Sequence, residues 1–101
     1  MPVKGDQHPF IDEYVARAPD SPGVYQLETP SEVIYVGMAE ESIRERLRDH
    51  LAQPSIDCAR SATRVRVETH AKSMARLQEL LREKLLDRGR LPKCNGAAQR
   101  R

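Results

Sequence analysis

Two tyrosines, an arginine and a histidine are the residues whose types and spacing suggest chemistry. Tyr25 and Tyr35 lie in two short strand-like runs, and Arg46 and His50 stand four residues apart in the segment that follows. A guanidinium stabilises the charge that builds on phosphate oxygens, and a phenol or an imidazole can carry the proton of an attacking water. This combination predicts a site that handles a phosphodiester.

The proton transfer sets a condition on the phenols. A tyrosine accepts a proton from water only if its surroundings lower its pKa from about 10. We expect Arg46 and His50 to lower the pKa of the neighbouring tyrosines in this way. The spacing does not show which tyrosine would act as the base.

A predicted hairpin positions the two phenols. Residues 24–28 and 32–36 are rich in valine, isoleucine and tyrosine, and Pro30 supplies the bend between them. A turn centred there predicts that Tyr25 pairs with Tyr35 across an antiparallel ladder. Both rings would then project from one face of the sheet, because side chains alternate along a strand.

The helix after the hairpin begins at a capping box, Ser42 followed three residues later by Glu45. Its apolar stripe consists of three residues at helical spacing: Ile43, Leu47 and Leu51. Arg46 and His50 lie at the inner edge of that stripe, where a partly buried charge needs an anionic partner. An alternative for Arg46 is an ordinary surface ion pair within its own helix.

A third strand and a closing helix are predicted in the second half of the chain. Residues 64–69 alternate between polar and apolar types, which indicates a half-exposed strand. Residues 72–88 carry leucines at helical spacing, and Gly89 is the expected C-terminal cap. Before the hairpin, we expect residues 1–9 to form a mobile leader and a short helix to end before Pro19.

Composition limits what else the chain can be. Its 101 residues suffice for one small domain. No apolar run approaches the roughly 18 residues of a membrane span, so we expect a cytoplasmic protein without membrane contact. Cys58 and Cys94 lack metal-binding spacing and are expected to be reduced thiols. The 17 lysines and arginines, against 15 acidic residues, are compatible with a polyanionic partner.

With these residues in view, the chain resembles the GIY-YIG nuclease domain family. Gly23-Val24-Tyr25 matches the first motif of the family, Tyr35-Val36-Gly37 matches the second, and Pro92 and Asn95 match a closing Pro-x-x-Asn. The resemblance divides the chain into three parts. These are a leader with a short helix at 1–18, the GIY-YIG-like domain at 19–96 and a basic tail at 97–101.

The resemblance implies an α/β fold of the α+β type, in which a three-stranded antiparallel sheet is flanked by helices. It also implies hydrolysis of DNA with one divalent ion, Mg²⁺ or Mn²⁺, held by a carboxylate of the last helix. The residues that match catalytic positions are Tyr25, Tyr35, Arg46 and His50. The residues that match structural positions are Gly23, Gly37 and Asn95.

Three residues of the last helix are candidates for the metal-binding position. Glu79 follows Ala75 by four residues, which is the local pattern of the family, and Glu79 is therefore the predicted ligand. Glu83 instead has the family spacing to Pro92. The apolar stripe of the helix favours Gln78, and an amide there would indicate a weakened or inactive nuclease. The chain also carries Met38 where repair-type members have lysine.

Four arginines on the second helix and the third strand are expected to contact DNA: Arg44, Arg48, Arg64 and Arg66. Because no recognition domain is attached, we expect low intrinsic specificity, with specificity supplied by a protein partner or by a second copy of the chain. Two alternatives stay open. The chain would bind nucleic acid without cleaving it, or would serve as an accessory module that does neither.

Overall fold

A computed structural model of the chain describes residues 3, 5–52, 61–89, 91–92 and 94–95. Within these ranges the elements, in chain order, are β1 His8–Pro9, α1 Asp12–Val15, β2 Gly23–Glu28, β3 Val33–Ala39, α2 Ile43–Ala52, β4 Arg64–Thr69 and α3 Ser73–Arg88. The α+β class predicted from the sequence is confirmed. The predicted tail at 97–101 lies outside the described residues.

The sheet has four antiparallel strands in the order β1-β4-β2-β3. The sequence predicted three, and the strand that it missed is β1, which pairs with β4 through His8 and Pro9. Two residues, one of them proline, give no alternating pattern, and proline is confined to sheet edges because it has no N–H to donate.

The segment around β1 is anchored, so the expectation of a mobile leader is wrong for its described part. Val3 is 2% exposed and Phe10 is 7% exposed. The carbonyl of Gly5 accepts a hydrogen bond from Nη1 of Arg66 at 3.0 Å. The amide of Gln7 donates to Glu28 at 2.7 Å. These contacts are made with residues far along the chain, which a local pattern does not report.

The helices cover both faces of the sheet. One apolar cluster joins Tyr25, Leu27 and Val65 to residues of α1 and α2. The other joins Val24 and Val36 to Leu80 of α3. Because β2 is central and covered on both faces, all six of its residues are buried. The described part of the chain contains no helix with the length and apolarity needed to cross a bilayer.

The hairpin register differs from the prediction by two residues. Tyr25 pairs with Gly37, and Tyr35 pairs with Leu27. The two rings still share one face, because a shift of two residues preserves the alternation of side chains. They are diagonal neighbours rather than directly opposed.

The loop and a bulge produce this shift. The turn closes from Thr29 to Glu32, where the Thr29 N–H donates to the Glu32 carbonyl at 2.8 Å. Glu28 then pairs with Val33, and an irregularity follows between Leu27 and Glu28. A bulge places one extra residue in a strand, and the composition of the strands does not reveal where it will form.

Both long helices begin and end close to their predicted bounds. The hydroxyl of Ser42 accepts a hydrogen bond from the Glu45 N–H at 3.2 Å, as the capping box requires. Gly89 ends α3 in the left-handed conformation, with φ of 73°, and its N–H donates to the Leu85 carbonyl. The predicted short helix before Pro19 is α1.

Cys94 is disulfide-bonded, so the expectation of a reduced thiol is wrong for this residue. Its side chain is 1% exposed and belongs to the apolar cluster on the α2 face. The other cysteine of the sequence, Cys58, lies outside the described residues. Separation along the chain does not report which cysteines a fold brings together, and this is why the sequence argument failed.

Candidate active site

The two motif tyrosines pack against the same glycine. The ring centroids of Tyr25 and Tyr35 lie 6.0 Å apart. A Cβ atom on Gly37 would lie 2.6 Å from Tyr25 Oη and from Tyr35 Cε2. Gly37 is therefore required by the two rings and not by an unusual φ angle. A Cβ atom on Gly23 would similarly lie 2.8 Å from the Thr69 Cα atom of the adjoining strand.

His50 closes the aromatic cluster from α2. Its Nε2 atom lies 2.8 Å from Tyr25 Oη, within hydrogen-bonding distance. Its ring centroid is 5.5 Å from that of Tyr25 and 5.4 Å from that of Tyr35, in edge-on arrangements. The imidazole is half-buried, so this hydrogen bond joins a buried phenol to a group near the surface.

Arg46, one turn before His50, interacts with both phenols. Its side chain is 46% exposed, and its nearest carboxylate contact is a loose one of 3.7 Å to Asp49. The Tyr25 phenol, more than any other group, raises the pKa of Arg46, so the guanidinium stays charged. Exposed ion pairs of this kind contribute little energy. The guanidinium therefore keeps the capacity to bind an anion.

Burial raises the pKa of Tyr25 well above its ordinary value, and the neighbouring Tyr35 raises it further. Arg46 lowers it, but its effect is smaller because the Tyr25 side chain is 0% exposed and desolvation dominates. The expectation that Arg46 and His50 bring the pKa of this phenol below its ordinary value is therefore wrong, because burial outweighs the lowering by Arg46. Tyr25 therefore keeps its proton and can donate it in the hydrogen bond with Nε2 of His50.

A cavity of about 350 Å³ opens beside this cluster at the edge strand β3. Its lining residues are Tyr35, Val36, Gly37, Met38, Glu40, Arg46 and Leu77. A smaller cavity of about 230 Å³ lies next to it and shares Glu40 and Arg46. Tyr35 faces the larger cavity, whereas Tyr25 is buried behind it.

Glu79 is not directed toward this cavity. It follows Leu77, the residue of α3 in the cavity wall, by two positions, or about 200° around a helix. Its carboxylate is 66% exposed and accepts a hydrogen bond from Arg76 Nη1 at 2.7 Å. Gln78 is exposed, and Glu83 is half-buried with Oε1 removed from solvent.

The carboxylate that lines the cavity is Glu40, which follows β3 directly and was missed by the sequence argument. Its position three residues after Gly37, between strand and helix, is the signal that could have found it. Within the described residues, no three carboxylate, histidine or cysteine side chains gather as a metal site. Mg²⁺ is often held by one or two carboxylates together with substrate phosphate, so Glu40 fits such an ion.

The four arginines predicted to contact DNA do not form one surface. Arg44 and Arg48 belong to α2, whereas Arg64 and Arg66 point to the opposite face of the sheet, because Val65 between them points toward α2. Arg66 pairs with Glu28 at 2.9 Å, and that carboxylate side chain is 9% exposed.

Within the part of the chain that the structure describes, the other three of these arginines do not form an ion pair as short as that between Arg66 and Glu28. Arg44 donates from Nε to the Ala18 carbonyl at 3.0 Å. Arg48 lies 3.5 Å from Glu45 in an exposed pair. Arg64 is exposed at the outer end of β4. Arg66 and Arg44 are therefore tied to the protein itself, and Arg48 and Arg64 are accessible to a polyanion.

Asn95 fastens the edge strand next to the site. Its Oδ1 accepts from the Val36 N–H at 2.9 Å, and its Nδ2 donates to the Val36 carbonyl at 2.8 Å. The side chain is 0% exposed and acts as a short substitute for a neighbouring strand. Because Val36 lies between Tyr35 and Gly37, this pair of bonds holds the second motif in position.

The fold is similar to that of a GIY-YIG domain. The N-terminal GIY-YIG endonuclease domain of UvrC from Thermotoga maritima, a point mutant bound to its catalytic divalent cation, superposes with a TM-score of 0.57. Its sequence is 22% identical, and the match covers 84% of this chain and 98% of that domain. At this identity the similarity establishes the fold.

The chain belongs to the family described as "domain of unknown function (DUF7508)", whose pattern matches residues 1–87. No curated protein matches the chain significantly. The family match includes β1 and the whole of the hairpin, α2 and β4, together with nearly all of α3.

Proposed function

We propose that the chain is a metal-dependent endonuclease that hydrolyses DNA phosphodiester bonds. The observation that carries the proposal is that the Tyr35 phenol and the half-exposed Arg46 guanidinium line one cavity. Tyr25 and His50 do not line it, but their rings pack against that of Tyr35. The GIY-YIG fold supports it, because the similar UvrC domain is an endonuclease that binds a catalytic divalent cation.

Arg46 binds the scissile phosphate in this proposal. Its fork of N–H donors matches phosphate oxygens, and it would stabilise the extra negative charge of the transition state. Burial raises the pKa of the Tyr25 phenol, which therefore keeps its proton and competes little with a phosphate. Tyr25 and Tyr35 both interact with the guanidinium, and these interactions would help to orient it toward the phosphate.

The attacking water loses its proton through a relay and not to a phenolate. Tyr35, which faces the cavity, accepts the proton of the water at Oη and passes its own to Tyr25, with which it interacts. Tyr25 passes its proton to Nε2 of His50, 2.8 Å away. Both phenols end neutral, His50 ends as an imidazolium, and the hydroxide attacks phosphorus as the P–O bond to the leaving oxygen breaks.

A single Mg²⁺ or Mn²⁺ fits the residues present if its carboxylate is Glu40. Such an ion, when bound, polarises the phosphoryl group and stabilises the leaving oxygen. Glu79, the ligand expected from the sequence, would first have to leave Arg76. Glu83 remains the third carboxylate to test.

The proposed substrate is DNA cut with low intrinsic sequence specificity. Arg48 and Arg64 are the exposed arginines that would add contacts to backbone phosphates. A protein partner or a second copy of the chain would supply specificity.

The test is nicking of supercoiled plasmid DNA with Mg²⁺, Mn²⁺ or EDTA. We expect cleavage in either metal, none in EDTA, and loss of cleavage in Arg46→Ala. Arg82→Ala, which removes an equal charge from an exposed position of α3, is the matched control and should cleave normally. Cleavage that persists in purified Arg46→Ala would refute the assignment.

A second candidate is a nucleic-acid-binding protein without nuclease activity. It is favoured by Met38 and Leu77 in the cavity wall and by the pairing of Glu79 with Arg76. Its signature is binding whose logarithm falls linearly with the logarithm of salt concentration, with no cleavage in any metal.

A further inference from the structure

We propose that the 350 Å³ cavity contains a subsite for a nucleobase, beside the phosphate that Arg46 binds. The preferred ligand would then be a strand with an unpaired nucleotide at this point. The inference rests on the proposed function only for the nature of the anion, and it holds equally for a chain that binds without cleaving.

The cavity has two chemically different ends. Arg46 and the hydroxyl of Tyr35 provide its polar end. Met38 and Leu77 provide an apolar wall, and both pack against the buried cluster of Val36 and Leu80 on the α3 face. Contact with an apolar wall does not stabilise a bound phosphate, whereas burial of the flat face of a base against that wall is favourable because it removes apolar surface from water.

The size of the cavity exceeds the need of a phosphate. One guanidinium at the surface is sufficient to hold a phosphodiester, but a volume of about 350 Å³ lies in the range of small-molecule sites, roughly 300–1,000 Å³. Glu40 also lines the cavity, and its carboxylate can accept a hydrogen bond from the amino group of a base. When no metal ion is bound, the carboxylate would repel a second phosphate, and this favours a base over further backbone.

The position of the cavity limits which nucleotides can enter. Tyr35 and Met38 lie on opposite faces of β3, so the cavity wraps around the outer edge of that strand. A base that is stacked and paired within a duplex cannot reach such a recess, whereas an unpaired or displaced base can do so at little cost. Single-stranded, mismatched or flapped DNA is therefore the expected class of ligand.

The test uses three probes without divalent metal, each titrated into the protein by NMR: inorganic phosphate, deoxyribose 5-phosphate and deoxyadenosine 5′-monophosphate. We expect the nucleotide to bind about tenfold more tightly than the sugar phosphate, since burial of one base face contributes on the order of 1.4 kcal/mol. The amide signals of Gly37, Met38 and Leu77 should shift only with the nucleotide.

Leu77→Ser should reduce the ratio of the affinity for the nucleotide to that for the sugar phosphate to about threefold or less, because it removes part of the apolar wall. Met74→Ser, on the same helix and 50% exposed, is the matched control and should leave the ratio unchanged. Met38→Ser repeats the test from the strand side if Leu77→Ser fails to fold. Equal affinities for nucleotide and sugar phosphate, or equal effects of the Leu77 and Met74 changes, would overturn the proposal.

The subsite and the nuclease proposal fail in different ways. Arg46→Ala should weaken all three probes and preserve the ratio between nucleotide and sugar phosphate. A wild-type protein that keeps the ratio but cleaves DNA in no metal would refute the nuclease and leave the subsite intact. A protein that cleaves but shows no preference for the nucleotide would refute the subsite alone.

Discussion

Two arginines lie over opposite faces of the sheet, Arg46 on α2 and Arg76 on α3, and their surroundings differ. Arg76 contacts both oxygens of Glu68, at 2.8 and 3.2 Å, and Oε1 of Glu79 at 2.7 Å. Its side chain is only 9% exposed. Arg46 is 46% exposed, and its ion pair with Asp49 is a loose one of 3.7 Å.

The difference separates a structural cation from one that can act on a ligand. Arg76 already donates hydrogen bonds to two carboxylates, in a geometry close to the bidentate optimum. Few of its N–H groups therefore remain to bind a third anion. Arg46 interacts with the Tyr25 phenol, which keeps its proton and so does not cancel the charge of the guanidinium. The type of partner, more than the arginine itself, decides which of the two can serve a site.

The largest expected effect follows from truncating Arg46. Arg46→Ala should lower kcat/KM for DNA cleavage by about 10³-fold, because the loss falls on transition-state charge. Its free energy of unfolding should change by less than about 1 kcal/mol, since its ion pair is exposed. Single-turnover cleavage and urea denaturation measure the two quantities. A large loss of stability with unchanged cleavage would show that Arg46 is a structural arginine, contrary to the comparison with Arg76.

Truncating Arg76 should do the opposite. Arg76→Ala removes the two hydrogen bonds that this buried arginine donates to the largely buried Glu68 carboxylate, and it should lower the free energy of unfolding by about 3 kcal/mol. Cleavage per folded molecule should stay within about twofold of wild type, because this arginine does not line the cavity. Glu79→Gln, at the exposed end of the same network, is the control and should cost less than about 1 kcal/mol.

A third measurement distinguishes the carboxylates. Glu40→Gln should lower Mg²⁺-dependent cleavage by about 10²-fold and raise the metal concentration needed for half-maximal rate. Glu79→Gln should have the smaller effect, because its carboxylate points away from the cavity. If Glu79→Gln or Glu83→Gln is the more damaging change, the metal belongs to α3 and Glu40 is not its ligand.

The smallest effect concerns the alkaline limit of stability. The pKa of Tyr25 is raised in the folded state, so the unfolded chain loses this proton first, near the ordinary value of 10.0. The contribution of the protonated Tyr25 to the free energy of unfolding is complete below that pH. It falls as pH rises above that value, by up to about 1.4 kcal/mol per pH unit.

Tyr25→Phe should therefore flatten the decline of stability between about pH 10 and 11, as measured by urea denaturation at several pH values. Tyr14→Phe should flatten it less, because burial also raises the pKa of Tyr14 but its ring is partly exposed. A curve of unchanged slope in Tyr25→Phe would show that this phenol ionises normally in the folded protein.

Much of the site was predictable because it depends on local repetition. Tyr25 and Tyr35 share a face through the alternation of strands, and Arg46 and His50 share one through the helical repeat. Other features depend on partners distant in the chain. The pairing of Glu79 with Arg76 and the direction of Glu40 are set by how α3 and β3 lie across the sheet, and no spacing within either element contains that information.

By itself, the sequence determined the hairpin, the capped start of α2, the glycine end of α3 and the resemblance to a nuclease, because each depends on a few consecutive residues. Only the tertiary structure decided the register, the short β1, the disulfide at Cys94 and the raised pKa of Tyr25. These depend on loop geometry and on desolvation by residues far apart in the chain, and burial of a phenol exists only once the sheet and both layers of helices have come together.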